Sequence, residues 1–206
     1  MFGDSITYGA WDKEGGWVQR LREFLDEGKQ LDEGFYYMVY NLGVSGNTTE
    51  ELLKRFEFET KQRLKEKEET VIIFSIGAND SQFVHSKNNF RTLPQKFEEN
   101  ILKLIEIAQK FSSKIIFVGL TPVDETRVTP IPWNPDVSYK NEYIEKYDEI
   151  IRKVCEQKGV FFINILTKLK NLNYRKLLED GLHPNSEGHR VIFEIVKEFL
   201  VENKII

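Results

Sequence analysis

The stretch TVIIFSIGAND, residues 70–80, decides how the rest of the chain is read. Its first six residues are nearly continuous in apolar side chains and rich in β-branched types. A strand buried on both faces looks like this. A glycine, a small residue and two polar residues then end it. The pattern recurs in KIIFVG (114–119) and VFFINI (160–165), and YYMVYNL (36–42) is a fourth run of the same kind. Strands with two buried faces belong to parallel sheets.

Helical patterns fill the intervals. Residues 17–25 place Leu21, Phe24 and Leu25 on one face. Thr48-Thr49-Glu50-Glu51 has the spacing of a capping box, with a charged helix following towards Leu64. Pro94 suits the first turn of a helix carrying Phe97, Ile101, Leu104, Ile105 and Ala108. Tyr143, Ile144, Tyr147, Ile150, Ile151 and Val154 stripe another, which should stop at Gly159. A last helix should start near Ser186 and use Val191, Ile192, Ile195, Val196 and Phe199. Alternating strands and helices predict an α/β fold, a parallel sheet with helices on both faces. Residues 1–206 are read as a single domain, without repeat or linker. The longest irregular stretch, 121–139, holds Pro130, Pro132, Trp133 and Pro135, and a loop of that length is more often functional than idle. One feature does not fit: only Met1 and Phe2 precede Gly3, so the first strand is either a stub or begins upstream of this sequence.

Composition excludes several classes. The 40% apolar and 30% charged content is that of a folded soluble chain rather than a disordered one. A net charge of −4 gives no electrostatic footing for nucleic acid. The lone Cys155 cannot form an internal disulfide, and neither a signal-peptide pattern nor a membrane-length apolar run is present. A cytoplasmic location is the default expectation.

Ligands of open α/β sheets bind beyond the carboxyl ends of the strands. Gly3-Asp4-Ser5 follows the first stub, Gly43-Val44-Ser45-Gly46-Asn47 the second strand, and Gly77-Ala78-Asn79-Asp80 the third. The proline-rich loop follows the fourth, and Asp180-Gly181-Leu182-His183 lies beyond the fifth. A hydroxyl, an amide, an Asp/His pair and small residues on one edge are the inventory for acyl transfer.

Four of these segments resemble the sequence blocks of the SGNH, or GDSL, hydrolases. Gly3-Asp4-Ser5-Ile6-Thr7-Tyr8-Gly9 is similar to the first block and Gly46 matches the glycine of the second. Gly77-Ala78-Asn79-Asp80 is similar to the third, and Asp180-Gly181-Leu182-His183-Pro184-Asn185 to the last. They stand in the family's order over nearly the whole chain. The departures are the missing strand before Gly3, and Ala78 where a second glycine is common. The resemblance implies a three-layer α/β/α sandwich with a five-stranded, flavodoxin-like sheet. It also implies a serine esterase that works through an acyl-enzyme, with no cofactor and no metal.

Under that reading Ser5 is the nucleophile, which a hydroxyl becomes only beside a base. His183 is that base. Asp180, three residues earlier, holds the imidazole tautomer. The Ser5 N–H, the Gly46 N–H and the Asn79 amide are the oxyanion donors. Asp4 is a structural residue of the turn, His85 a pocket residue, and His189 a surface or packing residue of the last helix. Phe83, His85 and Trp133 are expected to wall the acyl or alcohol pocket, since they follow strands three and four.

The expected substrate is a small-molecule ester of a short acyl chain or an acetylated sugar, because no long apolar lid is present. Lysophospholipase and thioesterase readings stay open within the family. Ser45 is a rival nucleophile, but Gly43-Val44-Ser45-Gly46-Asn47 lacks the final glycine of a G-x-S-x-G elbow. Two other readings are a metal-dependent hydrolase using Asp4, Asp80, Asp180 and His183, and a binding module that kept the fold without catalysis.

Overall fold

The computed structural model describes residues 1–27, 37–65 and 68–206. Its main sheet joins β1 (Phe2–Gly3), β2 (Leu42–Gly43), β3 (Val71–Ser75), β6 (Lys114–Val118) and β8 (Phe161–Ile163). All neighbours are parallel, in the order β2-β1-β3-β6-β8. The five-stranded parallel sheet expected from the sequence is therefore present, and its order reverses between β1 and β3.

The strands are apolar throughout because alternate side chains enter two different cores. Ile72 and Phe74 of β3, with Ile115 and Phe117 of β6, join one core. It is closed by α3 (Thr49–Lys61), α4 (Pro94–Ala108) and α6 (Asn141–Lys158) through Phe56, Phe97, Ile101, Ile144, Tyr147 and Ile151. Ile73 and Ile116 face the other core, closed by α2 (Gly16–Glu27) and α8 (Ser186–Glu202) through Trp17, Leu21, Ile192 and Val196. The result is a three-layer sandwich. Among the described residues no helix is long and apolar enough to cross a membrane.

Local differences from the sequence reading have local causes. Of the run at 36–42, only Leu42 lies in a strand, and Tyr36 is outside the described residues. The fifth strand stops at Ile163, because the Asn164 side chain accepts the Thr167 N–H at 3.0 Å and opens α7 (Ile165–Lys170). The helix after Thr48 begins with the capping box that the spacing predicts, the Glu51 carboxylate accepting the Thr48 N–H at 2.7 Å. α6 ends at Gly159, which takes φ +63°.

A second, antiparallel sheet of two-residue strands was not legible. It is made of β4 (Phe83–Val84), β5 (Asn89–Phe90) and β7 (Val137–Ser138), in the order β5-β4-β7. It ties the segment after β3 to the proline-rich stretch, which also contains the short helix α5 (Glu125–Val128) and a cis Thr129–Pro130 bond. The first turn after β1 is α1 (Ser5–Tyr8).

Candidate active site

β1 ends at Gly3, and Asp4 caps α1 by accepting the Ile6 N–H at 2.9 Å. Burial pushes the Asp4 carboxyl up to about 6, with the Ile6 N–H working against it. Ser5 takes the first helical position, where a backbone N–H has no intrahelical acceptor. Its hydroxyl lies 2.9 Å from His183 Nε2.

His183 reaches Ser5 from the loop before α8. Its Nδ1 lies 2.7 Å from Asp180 Oδ2. Asp180 Oδ1 accepts the Leu182 N–H at 2.9 Å and the His183 N–H at 2.8 Å, so the turn that presents the carboxylate also immobilises it. Burial alone would raise the Asp180 carboxyl. The bonds from His183 side chain and backbone outweigh it and hold the group well below the usual carboxylate range. With Asp180 ionised, the Nδ1 proton belongs on His183, which leaves Nε2 free to accept from Ser5.

Two further groups converge on this edge. The turn after β2 is closed by the Asn47 N–H on Val44 O at 3.1 Å, with Gly46 at φ +80°. A Cβ at Gly46 would meet nothing, so the glycine serves the left-handed conformation rather than space. Its N–H has no protein acceptor among the described residues. Asn79 follows β3 and is 6% exposed. One Nδ2 hydrogen goes to Asn47 O at 3.0 Å, and the other has no acceptor among the described residues. Its Oδ1 accepts from the Tyr139 hydroxyl at 2.9 Å and from Gln82 Nε2 at 3.2 Å.

Three neighbours were missed in the sequence. Trp11 donates its indole N–H to Asp180 Oδ2 at 2.9 Å, its ring set edge to face against His183. The only sequence signal was an aromatic six residues after Ser5. Tyr139 closes the proline-rich stretch, and Gln82 lies three residues after Asn79. Neither carries a local mark.

The residues expected to wall the pocket have contacts of their own. Phe83 packs its ring on His85, Phe90 and Tyr143, inside the small sheet. His85 Nε2 is 2.8 Å from Ser138 Oγ. Trp133 is 57% exposed in the turn bridging Ile131 and Asn134. None of the three shares a hydrogen bond or ring contact with Ser5, His183 or Asp180 among the described residues. The proline-rich stretch also acts as a brace. The Asp124 N–H donates to Gly181 O at 2.8 Å and Arg127 to Glu179 O at 2.8 Å, steadying the Asp180–His183 loop.

The rival sets do not assemble. Ser45 is exposed and has no histidine bonded to it among the described residues. Asp80 is spent on Thr49, accepting its N–H at 3.0 Å and its hydroxyl at 2.6 Å. No group of three metal-binding side chains forms among the described residues. His189 is fully buried on α8, its Nε2 3.4 Å from Ala10 O, and burial lowers it to about 4.

Comparison with known proteins gives the family and agrees with the fold. Residues 1–191 match the model of the GDSL-like lipase/acylhydrolase family. An arylesterase of Vibrio mimicus is 26% identical over 210 residues, covering 98% of this chain and 88% of the relative. A solved acetyl xylan esterase superposes with a TM-score of 0.74 at 24% identity, covering 97% of both chains. A lipase/acylhydrolase from Enterococcus faecalis gives 0.73 at 23%, covering 97% of this chain and 92% of its own.

Proposed function

Because the chain belongs to the GDSL-like lipase/acylhydrolase family, we propose that it hydrolyses esters of short acyl chains or acetylated sugars through an acyl-enzyme on Ser5. The observation that carries this reading is the hydrogen-bonded chain from Ser5 Oγ to His183 Nε2 at 2.9 Å and from His183 Nδ1 to Asp180 at 2.7 Å. Ser5 Oγ attacks the ester carbonyl while His183 Nε2 takes its proton. The Asp180 carboxylate holds the Nδ1–H tautomer and stabilises the imidazolium. The Ser5 N–H, the Gly46 N–H and the unspent Asn79 hydrogen receive the developing oxyanion. His183 returns the proton to the leaving alcohol, and water repeats the sequence to free the acid and Ser5. A short acyl group is favoured because the apolar faces of α2, α3, α4, α6 and α8 are spent in the two cores. An arylesterase among the relatives supports ester hydrolysis, the coarser part of this reading.

The test is hydrolysis of p-nitrophenyl acetate, butyrate and octanoate by wild type and Ser5→Ala, with and without EDTA. Wild-type activity should survive EDTA and fall with chain length, and Ser5→Ala should lose at least about a thousandfold in kcat. Equal activity in the two proteins removes Ser5 as nucleophile. Loss to EDTA alone points to a metal enzyme.

A further inference from the structure

A side-chain amide helps an oxyanion only if its NH₂ end faces the substrate. The two ends of a carboxamide are alike in size, so the network around them must set which way they point. For Asn79 that network is complete on the oxygen side. Oδ1 accepts from the Tyr139 hydroxyl at 2.9 Å and from Gln82 Nε2 at 3.2 Å, and Gln82 Nε2 also donates to the Tyr139 oxygen. Since the Tyr139 oxygen receives a hydrogen from Gln82, its own hydrogen is directed at Asn79. Tyr139 is 1% exposed, Asn79 6% and Gln82 9%, so water does not compete freely for these bonds. A flipped Asn79 would set its NH₂ against two donors and its oxygen against Asn47 O.

We propose that Tyr139, assisted by Gln82, is a positioning residue of the reaction: it locks the Asn79 amide with one N–H aimed at the oxyanion. Donation into Oδ1 also polarises the amide and strengthens its N–H groups as donors. Burial raises the Tyr139 hydroxyl well above its ordinary value, so it keeps the hydrogen that this role needs. The proposal rests on Asn79 being an oxyanion donor. It gives the proline-rich stretch a second purpose, since that stretch holds the Asp180–His183 loop near one end and the oxyanion amide at the other.

A buried tyrosine hydroxyl needs a partner in any case, so a loss of activity alone does not decide the matter. The deciding experiment is a double-mutant cycle of Tyr139→Phe with Asn79→Ala on p-nitrophenyl acetate, with thermal melts of all four proteins. Tyr139→Phe should lower kcat about tenfold and leave KM within about twofold, because the amide acts on the transition state. In the Asn79→Ala background the same change should cost less than about twofold. The inference is overturned if Tyr139→Phe leaves kcat within twofold of wild type, or if its penalty is the same in both backgrounds. Full activity in Asn79→Ala would remove the oxyanion reading itself and this inference with it. If Tyr139→Phe does not fold, Gln82→Met carries the same cycle with the same criteria.

Discussion

Trp11 combines two uncommon properties. Its backbone stands at φ +68°, where bulky residues are rare, and its side chain is 65% exposed. The indole N–H is 2.9 Å from Asp180 Oδ2 and 3.2 Å from His183 Nδ1. With a hydrogen on Nδ1 the second approach cannot be a bond, so the indole donates to Asp180. That carboxylate then accepts from two backbone N–H groups, the imidazole and the indole. Trp11→Phe removes one donor and leaves more of the negative charge for the imidazolium. The acidic limb of kcat/KM should move to higher pH by about half a unit to one unit. Asp4, raised to about 6, and His189, lowered to about 4, are both chiefly shifted by burial and also feel the charge of His183. Neither is altered by the substitution, so the difference between the two profiles isolates the indole. An unmoved limb would mean that the contact is incidental.

At the scale of elements, the segments that carry the chemistry are pinned to one another by buried polar bonds as well as by apolar packing. Asp80, next to Asn79, accepts the Thr49 N–H and hydroxyl at the start of α3, and Asn100 of α4 donates to that hydroxyl at 3.0 Å. Burial raises Asp80 to about 6. One knot therefore ties the start of α3 to the turn after β3, and the Asn79 amide on Asn47 O joins the turns after β2 and β3 directly. Thr49→Val keeps the shape but leaves Asp80 and Asn100 each short of a partner. It should cost about 1–3 kcal/mol in urea unfolding. A loss below about half a kcal/mol would show that the knot is dispensable.

For the molecule as a whole, three buried carboxyls set a pH dependence of stability. Asp4, Asp80 and Asp148 are each raised to about 6, chiefly by burial. Between about pH 4 and 6 the folded chain holds protons at these sites that the unfolded chain has released. Their contribution is present in full below about pH 4 and is lost as pH rises through 6. His189, lowered to about 4, works in the opposite sense, losing stability as pH falls from about 6.5. Asp148 can be isolated, because its one backbone partner among the described residues is the Leu120 N–H at 2.7 Å, which an amide oxygen also accepts. Asp148→Asn should gain on wild type by about 2 kcal/mol between pH 4 and pH 7 in denaturant titrations. A constant difference at the two pH values would contradict the burial argument.

The sequence by itself determined the sandwich, because its features are written in local patterns, and it singled out Ser5, Asn79 and Asp180–His183 through the resemblance of their blocks to a family. Doubly buried strands show as apolar runs, helix faces as stripes, and the Asp-Gly turn lies within four residues of the histidine it presents. It could not show which core each strand residue enters, although Ile72 and Ile73 are adjacent and face opposite layers. Nor could it show the two-residue strands of the small sheet, which are too short to carry a period. Loop position singled out Phe83, His85 and Trp133, and the packing of Phe83 on Phe90 and Tyr143 was not written there. Only the tertiary structure decided that Trp11 meets Asp180 across 169 residues and Tyr139 meets Asn79 across 60. Such contacts depend on where the sheet sets down the ends of distant loops, and a hydrogen bond closed in that way leaves no periodicity in the chain.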